Sequence, residues 1–402
     1  MGSDLNQSGK YSAAQLFGGP YSAEMCENGP REHSKRLKFL GSKAFKPCDL
    51  RHYEFSESIL KNRLHQMVSA PRYKALHSID NAIFNSVVRY FQTIGAEWCN
   101  LPLTTLMISS PGEVYAGKTL DYTTDALPVQ VSWFDFERKI FLSESSQFYL
   151  ELRLLLEDVG KVFSIYNSFR KEKADATHLS EFQHIEFEGK VSLFEDIAIA
   201  ENLLRSIVLD TVENESSALK QYLTDDEIAY LPESVASDQF ETLTLKQALD
   251  ILYRDTSDER YKKFSLKHFG SWEEVRLTRL VGRHCWITQF PMLEIPFYHA
   301  VSKNDEEGIP LAENADLILY GYREVIGAGT RIREPKVLAE KARIFKLPIE
   351  DYEAYFEMRN FDNYETSSGF GLGWQRLLHW MLKLPVIWEA SHVPRGHLIP
   401  KP

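Results

Sequence analysis

Two apolar segments in the middle of the chain flank a charged loop, and this arrangement limits the folds available to it. Residues 162–166 are a short apolar run, residues 182–187 alternate between apolar and polar, and residues 171–180 between them are polar. Two such segments around a polar loop predict an antiparallel β-hairpin. Helical patterns alternate with further strand signals of this kind rather than with single parallel strands. We therefore expect an α+β fold in which helices flank an antiparallel sheet.

Helical periodicity and capping signals locate the main helices. Apolar residues recur at three- and four-residue steps over 72–94, and Gly95 follows where a helix C-cap is expected. Capping boxes that begin at Ser192 and Thr244 open two more helices. Residues 213–239 are acidic and without periodicity, so we interpret 210–240 as an insertion or a mobile excursion. The remaining predictions are helices over 147–159 and 335–345, strands over 101–108, 129–134, 139–142 and 315–320, and a glycine-rich strand that runs into a helix over 369–382.

The charge balance and hydropathy exclude several classes of protein. The chain has 46 Lys and Arg against 57 Asp and Glu, a formal net charge of −11. It therefore repels polyanions as a whole, which argues against a protein that coats DNA or RNA. No apolar run approaches the roughly 20 residues that span a bilayer, and the N-terminal region contains no hydrophobic signal core. We expect a cytoplasmic protein without membrane contact.

The N-terminal region differs in composition from the rest of the chain. Residues 1–55 are rich in Gly, Ser, Asn and Pro and include a basic stretch at 31–46. With so little periodicity, they are predicted to form a loosely ordered arm before one domain over 56–402. The cysteines show neither a disulfide framework nor zinc-ligand spacing, so we expect buried or idle thiols. They are Cys26, Cys48, Cys99 and Cys285.

The predicted hairpin carries the first pattern with chemical potential. Residues 169–172 read Phe-Arg-Lys-Glu and stand at the end of the first strand. Arg170 on such a strand can bind a phosphate bidentately, and Phe182 on the facing strand offers a stacking surface for a base. The alternative is an exposed Arg–Glu pair with no ligand.

Two further patterns lie in the C-terminal third. Alternating glycines over 369–373 allow a ligand to approach the backbone, and Arg376 in the next helix can point at a polyphosphate. Asp316 and Glu324, eight residues apart across a turn, can share a hard cation such as Mg²⁺. The alternatives are a close-packed strand under a helix and a solvated acidic pair.

Taken in order along the chain, these patterns resemble the signature motifs of the class II aminoacyl-tRNA synthetases, in the aspartyl/asparaginyl branch. The first family motif, a long helix followed by a strand with a proline, is similar to the helix over 72–94 and the proline after it. The second, Phe-Arg-x-Glu with a trailing His-Leu-x-Glu-Phe, matches 169–172 and 178–182. The third, Gly-x-Gly-x-Gly-x-x-Arg, matches 369–376. The resemblance covers residues 70–402.

The resemblance implies an adenylate-forming site on an antiparallel sheet, with ATP and Mg²⁺ as cofactors, in a protein that is usually a homodimer. Arg170 would bind the α-phosphate of ATP and Arg376 the γ-phosphate, which makes them the expected catalytic residues. Glu172 would contact the adenine amino group, and Phe182 would cover the face of the base. The remaining expected contacts are those of His178, Glu324 and Gly373 with ATP, and those of Asp316 and Glu324 with magnesium.

The resemblance also indicates which amino acid is activated. Gln147 would lie near the substrate α-amino group, with Glu186 as its anionic partner. Aspartate enzymes carry a lysine where this chain has Leu150, whereas asparagine enzymes carry a glutamate one residue later, which is Glu151 here. A carboxylate accepts from an amide but repels an aspartate side chain, while Arg331 would donate to the carbonyl oxygen. Asparagine is therefore favoured over aspartate.

The chain departs from the family pattern at several places. The residues before the first motif lack the strand periodicity of the family's anticodon-reading barrel, and the hairpin loop is one residue shorter than usual. Thr177 stands where the family has an arginine, and Ile295 where related sequences often carry lysine. The loss of the arginine puts in doubt a phosphate contact or the handling of the tRNA acceptor end.

These departures leave three functions open. The first is an ATP-dependent ligase that activates asparagine, or aspartate, and passes it to ammonia or another amine. The second is a trimmed asparagine–tRNA ligase that uses the basic stretch at 31–46 in place of the barrel, so tRNA remains an uncertain partner. The third is a non-catalytic paralogue that binds nucleotide or amino acid.

Overall fold

The computed structural model describes residues 55–61, 63–109, 127–135, 137–305 and 308–398. The predicted arm, residues 1–55, lies outside this part of the chain except for Phe55, and so do Cys26 and Cys48. Cys99 and Cys285 are free and buried, as expected. Within the described residues no helix has the length and apolar character needed to cross a bilayer.

Helices and strands alternate along the described residues. The α-helices are α1 (Glu57–Lys61), α2 (Arg63–Ser69), α3 (Pro71–Thr93), α4 (Gln147–Arg153), α5 (Leu193–Asn214), α6 (Ser216–Leu219), α7 (Asp225–Ser234), α8 (Leu245–Thr256), α9 (Ser271–Val281), α10 (Pro335–Ile344), α11 (Glu353–Glu357) and α12 (Trp374–Met381). The strands are β1 (Glu97–Trp98), β2 (Thr104–Thr105), β3 (Val129–Val131), β4 (Ile140–Leu142), β5 (Lys161–Phe169), β6 (Glu181–Gly189), β7 (Phe240–Thr244), β8 (His284–Thr288), β9 (Val301–Asn304), β10 (Pro310–Ala312), β11 (Asn314–Ile318), β12 (Glu324–Thr330) and β13 (Ser368–Gly373). Short 3₁₀ helices cover Ser237–Gln239, Glu259–Lys262, Leu266–His268, Met292–Glu294, Ile349–Asp351, Met358–Asn360 and Ile387–Ala390.

A large central sheet organises the molecule. Its strand order is β1-β5-β6-β13-β12-β11-β8-β7. The two edge strands pair in parallel with their neighbours, and the pairs between them are antiparallel. Strands β5 and β6 pair from Lys161 opposite Gly189 to Phe169 opposite Glu181, which confirms the predicted hairpin. The α+β fold expected from the sequence is confirmed.

The two faces of the sheet have different roles, which strand β6 illustrates. Ile185 and Phe187 point into the main hydrophobic core, where helices α3 and α5 pack against the sheet. Because side chains alternate along a strand, His184, Glu186 and Glu188 belong to the opposite face. A run of polar side chains is thereby held on a rigid surface, away from the helices that close the core.

Most predicted elements form close to their expected positions. The predicted helix over 72–94 is α3, and the capping boxes at Ser192 and Thr244 both form at the starts of α5 and α8. The predicted strand over 101–108 reduces to the two residues of β2. The helix predicted over 147–159 ends at Arg153, and the left-handed backbone of Asp158, with φ of 62°, separates it from β5.

The acidic stretch over 213–239 is not patternless in the structure. It contains the end of α5, helices α6 and α7, and a capping box at Thr224. Its apolar residues, which include Leu219, Leu223, Leu231 and Val235, are buried in the main core. The interpretation as a mobile excursion was therefore wrong, because the acidic residues dominate the composition while the spaced apolar ones decide the packing.

A pair of leucine substitutions tests this packing. Leu219 in α6 is fully buried, whereas Leu209 in α5 is 44% exposed. We expect Leu219→Ala to lower the free energy of unfolding by about 2–5 kcal/mol, because a core cavity is left behind. The matched Leu209→Ala should change it by less than about 0.5 kcal/mol. Urea unfolding measures both, and equal small effects would contradict the packed state of this segment.

Candidate active site

Two adjoining cavities open on the polar face of the sheet. The larger has a volume of about 370 Å³ and the smaller about 80 Å³. Both are lined by Arg170, His184, Glu324 and Gly371, so they form one continuous site. The strands that contribute these residues are neighbours in the sheet, which fixes the spacing of their side chains.

The smaller cavity gathers the residues that the motifs single out for ATP. It is lined by Arg170, Glu172, His178, Phe182, Glu324, Gly373 and Arg376. The guanidinium carbon of Arg170 lies 5.3 Å from the centroid of the Phe182 ring, and Nε of Arg170 is buried with no hydrogen-bond partner from residues 55–398 as far as these are described. Nη1 of Arg376 donates to the backbone oxygen of Glu324 at 3.0 Å. The structure thus brings the predicted nucleotide residues together, while their individual roles remain predictions.

The hairpin loop is fastened to the sheet by an arginine that the sequence patterns do not single out. Nη1 of Arg323 donates to Oγ1 of Thr177 at 2.6 Å and lies 3.3 Å from Nε2 of His178. Its Nε donates to Oε2 of Glu274 at 3.1 Å. Burial lowers the pKa of His178, and the positive charge of Arg323 adds to this effect. A guanidinium therefore lies beside position 177, where the family resemblance expects an arginine from the loop itself.

Acidic side chains converge at the border of the two cavities. A Cβ built on Gly327 would lie 3.4 Å from Oε1 of Glu324 and 3.6 Å from Oδ1 of Asp316, so both carboxylates border this glycine. Burial raises the pKa of Asp316 well above its usual value, and the negative charges of Glu324 and Glu274 raise it further. The pair formed by Asp316 and Glu324 could share a divalent cation. No group of three or more metal-ligating side chains occurs among the described residues. Glu274 was not expected from the sequence, since it lies in α9, far from both motif residues.

The far end of the larger cavity rests on a buried ion pair. Arg331 donates to Glu188 through Nε at 3.0 Å and through Nη2 at 2.7 Å. Glu188 also accepts from Nε2 of Gln147 at 2.7 Å and from Oγ of Ser367 at 2.6 Å. Arg331 and Gln147 line the cavity, and Glu188 is fully buried beneath them. Glu188 thus supports the site from beneath, and no sequence motif points to it.

Glu186 supplies an anion to the wall of the larger cavity. Its Oε1 accepts from Oγ of Ser145 at 2.7 Å, and its Oε2 is buried with no partner within hydrogen-bond geometry among the described residues. Burial raises the pKa of Glu186 to about 7. A carboxylate with an unpartnered oxygen suits a cationic ligand group such as an ammonium.

Comparison with known proteins agrees with this geometry. Residues 56–397 match the family model described as tRNA synthetases class II (D, K and N). The chain belongs to this family. It is consequently an ATP-dependent ligase with the core of a class II synthetase.

Its relatives include several asparagine–tRNA ligases. The one from Syntrophobacter fumaroxidans is 28% identical over 334 residues, which cover 80% of this chain and 70% of the relative. The one from Thermus thermophilus is 31% identical over 286 residues, 70% of this chain and 62% of the relative. Among solved structures, asparaginyl-tRNA synthetase from Pyrococcus horikoshii complexed with asparaginyl-adenylate has a TM-score of 0.71 at 25% identity, covering 85% of this chain and 73% of that one. The chain thus spans between 62% and 73% of the length of each of these relatives.

Glu151 lies outside the cavity, in contrast to the expectation from the resemblance. It is 2% exposed and accepts from Nη2 of Arg359 at 2.8 Å, from the hydroxyl of Tyr355 at 2.7 Å and from the hydroxyl of Tyr364 at 3.2 Å. These partners come from α11 and the segment after it, which pack against this side of α4. Glu151 is thus part of a buried network in this structure, and its contact with the substrate stays a prediction. Glu188 is the carboxylate that faces Arg331.

Substitution of Glu151 tests this structural role. We expect Glu151→Ala to lower the free energy of unfolding by about 3–5 kcal/mol, because Arg359 would remain as a buried, uncompensated charge. Glu151→Gln, which keeps most hydrogen bonds, should cost less. Urea unfolding gives the values. A variant of unchanged stability but altered amino-acid preference would instead indicate that Glu151 contacts the substrate.

Proposed function

We propose that this synthetase activates asparagine with ATP, which forms asparaginyl-adenylate and releases pyrophosphate. The observation that carries the proposal is the Arg331–Glu188 pair at the base of a cavity that continues to Arg170 and Arg376. Arg331 lines the cavity and can donate to the side-chain carbonyl of asparagine. Glu188, buried behind it and hydrogen-bonded to Arg331, Gln147 and Ser367, supplies the negative charge that balances Arg331. Because the two charges already cancel, an aspartate carboxylate would bring an uncompensated negative charge into a buried site. A neutral amide is therefore the better ligand.

The proposed reaction needs no general base. The carboxylate of an amino acid is ionised at neutral pH and can attack the α-phosphorus directly. The protein then has to align the two substrates and neutralise phosphate charge. Arg170 would bind the α-phosphate and Arg376 the γ-phosphate, while Phe182 stacks on adenine. The convergence of these side chains on one cavity supports the assignment.

A magnesium ion fits the acidic border of the site. Asp316 and Glu324 would hold it, since their carboxylates flank Gly327 and repel each other when no cation separates them. Mg²⁺ bound to a nucleotide usually takes one or two protein carboxylates. The ion would supply positive charge to the phosphates, and Arg376, beside Glu324, would share this task.

The ionisation of Glu186 predicts a pH dependence. The substrate ammonium should bind the ionised carboxylate, whose pKa is raised to about 7 by burial. Protonation below pH 7 should therefore weaken amino-acid binding, and kcat/KM for asparagine should fall by up to about tenfold per pH unit on the acid side. Above pH 7 it should level off. Pyrophosphate exchange between pH 5.5 and 8.5 measures the profile.

The control is Glu186→Gln, which cannot ionise and should show a low, flat profile over the same range. If the variant keeps the same acid limb as the unchanged protein, Glu186 is not the group that titrates.

For the second step we propose a small amine or ammonia as the acceptor. The amine attacks the adenylate carbonyl carbon, the bond to the phosphate oxygen breaks, AMP leaves and the amine proton passes to solvent. The hairpin loop over 170–180 supports a small acceptor, because Ala174, Ala176 and Leu179 are buried against Phe55 and Trp388. A loop packed in this way presents little free surface to a polynucleotide. The net charge of −11 also disfavours a polyanionic acceptor.

Transfer to tRNA is the second candidate, and the names of the relatives favour it. The homodimer and the cytoplasmic location expected from the resemblance remain predictions. A non-catalytic role is disfavoured because the residues expected to contact phosphate, base and metal all line one continuous site.

Pyrophosphate exchange across the twenty amino acids, followed by product analysis, separates these functions. We expect exchange with asparagine, and an amide product when ammonia or another amine is added. Arg376→Ala should reduce exchange by about a hundredfold or more, whereas Arg89→Ala, whose side chain is 57% exposed in α3, should not. Charging of added tRNA would replace the amine proposal by the second candidate. Absence of exchange with every amino acid would leave the non-catalytic role.

A further inference from the structure

His299 lies directly beside the Arg331–Glu188 pair, and no sequence motif points to it. An antiparallel bridge connects His299 with Arg331, and Lys341 fixes the backbone by donating to the oxygen of His299 at 2.7 Å. The imidazole packs on the ring of Tyr298, with centroids 4.9 Å apart and an interplanar angle of 25°. It also occupies the space over Gly329, where any Cβ would clash with Nδ1 and Cε1. The ring is therefore held in one place.

One ring nitrogen of this imidazole has no hydrogen-bond partner in the part of the chain that the structure describes. His299 is 9% exposed and lines the larger cavity together with Arg331 and Tyr298. Its Nδ1 is buried without a hydrogen-bond partner among the described residues. Buried polar groups in folded proteins are nearly always hydrogen-bonded. An unpartnered one in the wall of a cavity indicates that a ligand, or a water that the ligand displaces, completes it.

The surroundings of His299 also determine its charge. Burial lowers its pKa well below the usual value, and the charges of Arg331 and Lys341 act in the same direction. A neutral imidazole donates from one ring nitrogen and accepts at the other. It can therefore hydrogen-bond an amide but adds no positive charge that would attract a carboxylate.

We propose that His299 is a specificity-determining residue, which hydrogen-bonds the side chain of the amino-acid substrate and restricts the site to polar, uncharged side chains. The proposal rests on the proposed amino-acid activation and deepens it. The charges of Arg331 and Glu188 balance each other, so a charged substrate side chain would find no counter-charge in the site. His299 adds selection against an apolar one, because binding such a side chain would leave the imidazole without a partner.

Three amino acids of nearly equal shape test the proposal: asparagine, aspartate and leucine. We expect the unchanged protein to favour asparagine in pyrophosphate exchange. In His299→Leu, the ratio of kcat/KM for asparagine to that for leucine should fall at least tenfold, while KM for ATP stays within about twofold. His299→Gln restores a polar amide and should keep the ratio within about threefold of the original.

A second variant displaces the imidazole without replacing His299. Gly329→Ala should push the imidazole out of its position, so its selectivity should resemble that of His299→Leu. An unchanged ratio in His299→Leu would overturn the proposal. So would a parallel rise of KM for asparagine and ATP in that variant, since this indicates a purely structural role.

The experiments also distinguish a failure of the His299 proposal from a failure of the proposed function. If the unchanged protein exchanges with another amino acid, the same ratio is measured against the apolar analogue of that amino acid, and a preferred substrate that is charged or apolar overturns the role of His299. If no exchange occurs, titration calorimetry with asparagine decides. Binding that His299→Leu weakens at least tenfold would support the proposal, and absence of binding would overturn it.

Discussion

The buried ion pair between Arg331 and Glu188 is the interaction around which the site is organised. Both side chains are withdrawn from water, which is costly unless the remaining hydrogen-bonding capacity is used. Glu188 meets this condition, because Gln147 and Ser367 donate to it in addition to Arg331. The pair joins β6 to the end of β12, and it also anchors α4 through Gln147. The position of three elements thus depends on one carboxylate.

The same pair accounts for a glycine of the third motif. A Cβ on Gly369 would clash with Oε2 of Glu188 and with the backbone of Phe187, and would meet Nε2 of Gln147 at 2.6 Å. Gly369 is therefore required by the network beneath the cavity. Gly371, two residues along the strand, has only ordinary contacts with Glu186 at 3.6 Å. The alternating glycines thus serve two purposes, and only the second corresponds to the open ligand approach expected from the sequence.

Much of the fold was predictable because it depends on local signals. The β5–β6 hairpin follows from alternation around a polar loop, and the capping boxes at Ser192 and Thr244 depend on residues three positions apart. The motif residues expected to bind ATP, which line one cavity, are likewise found from short local patterns. Glu188 and Arg323 were missed because their roles depend on partners more than 140 positions away. The buried network of Glu151 was not expected, because nothing local reveals that Arg359 reaches its carboxylate.

The polar face of β6 shows why burial alone does not reveal a site. A strand with His184, Glu186 and Glu188 on one face is usually taken for a solvated edge, since ionised groups are seldom buried. Here Glu188 is fully satisfied by protein donors and acts as structure. Within the described residues, Glu186 keeps an oxygen and His299 a nitrogen without a hydrogen-bond partner, and both side chains line the cavity. The difference between a supporting residue and a binding residue is therefore whether its hydrogen bonds are completed within the protein.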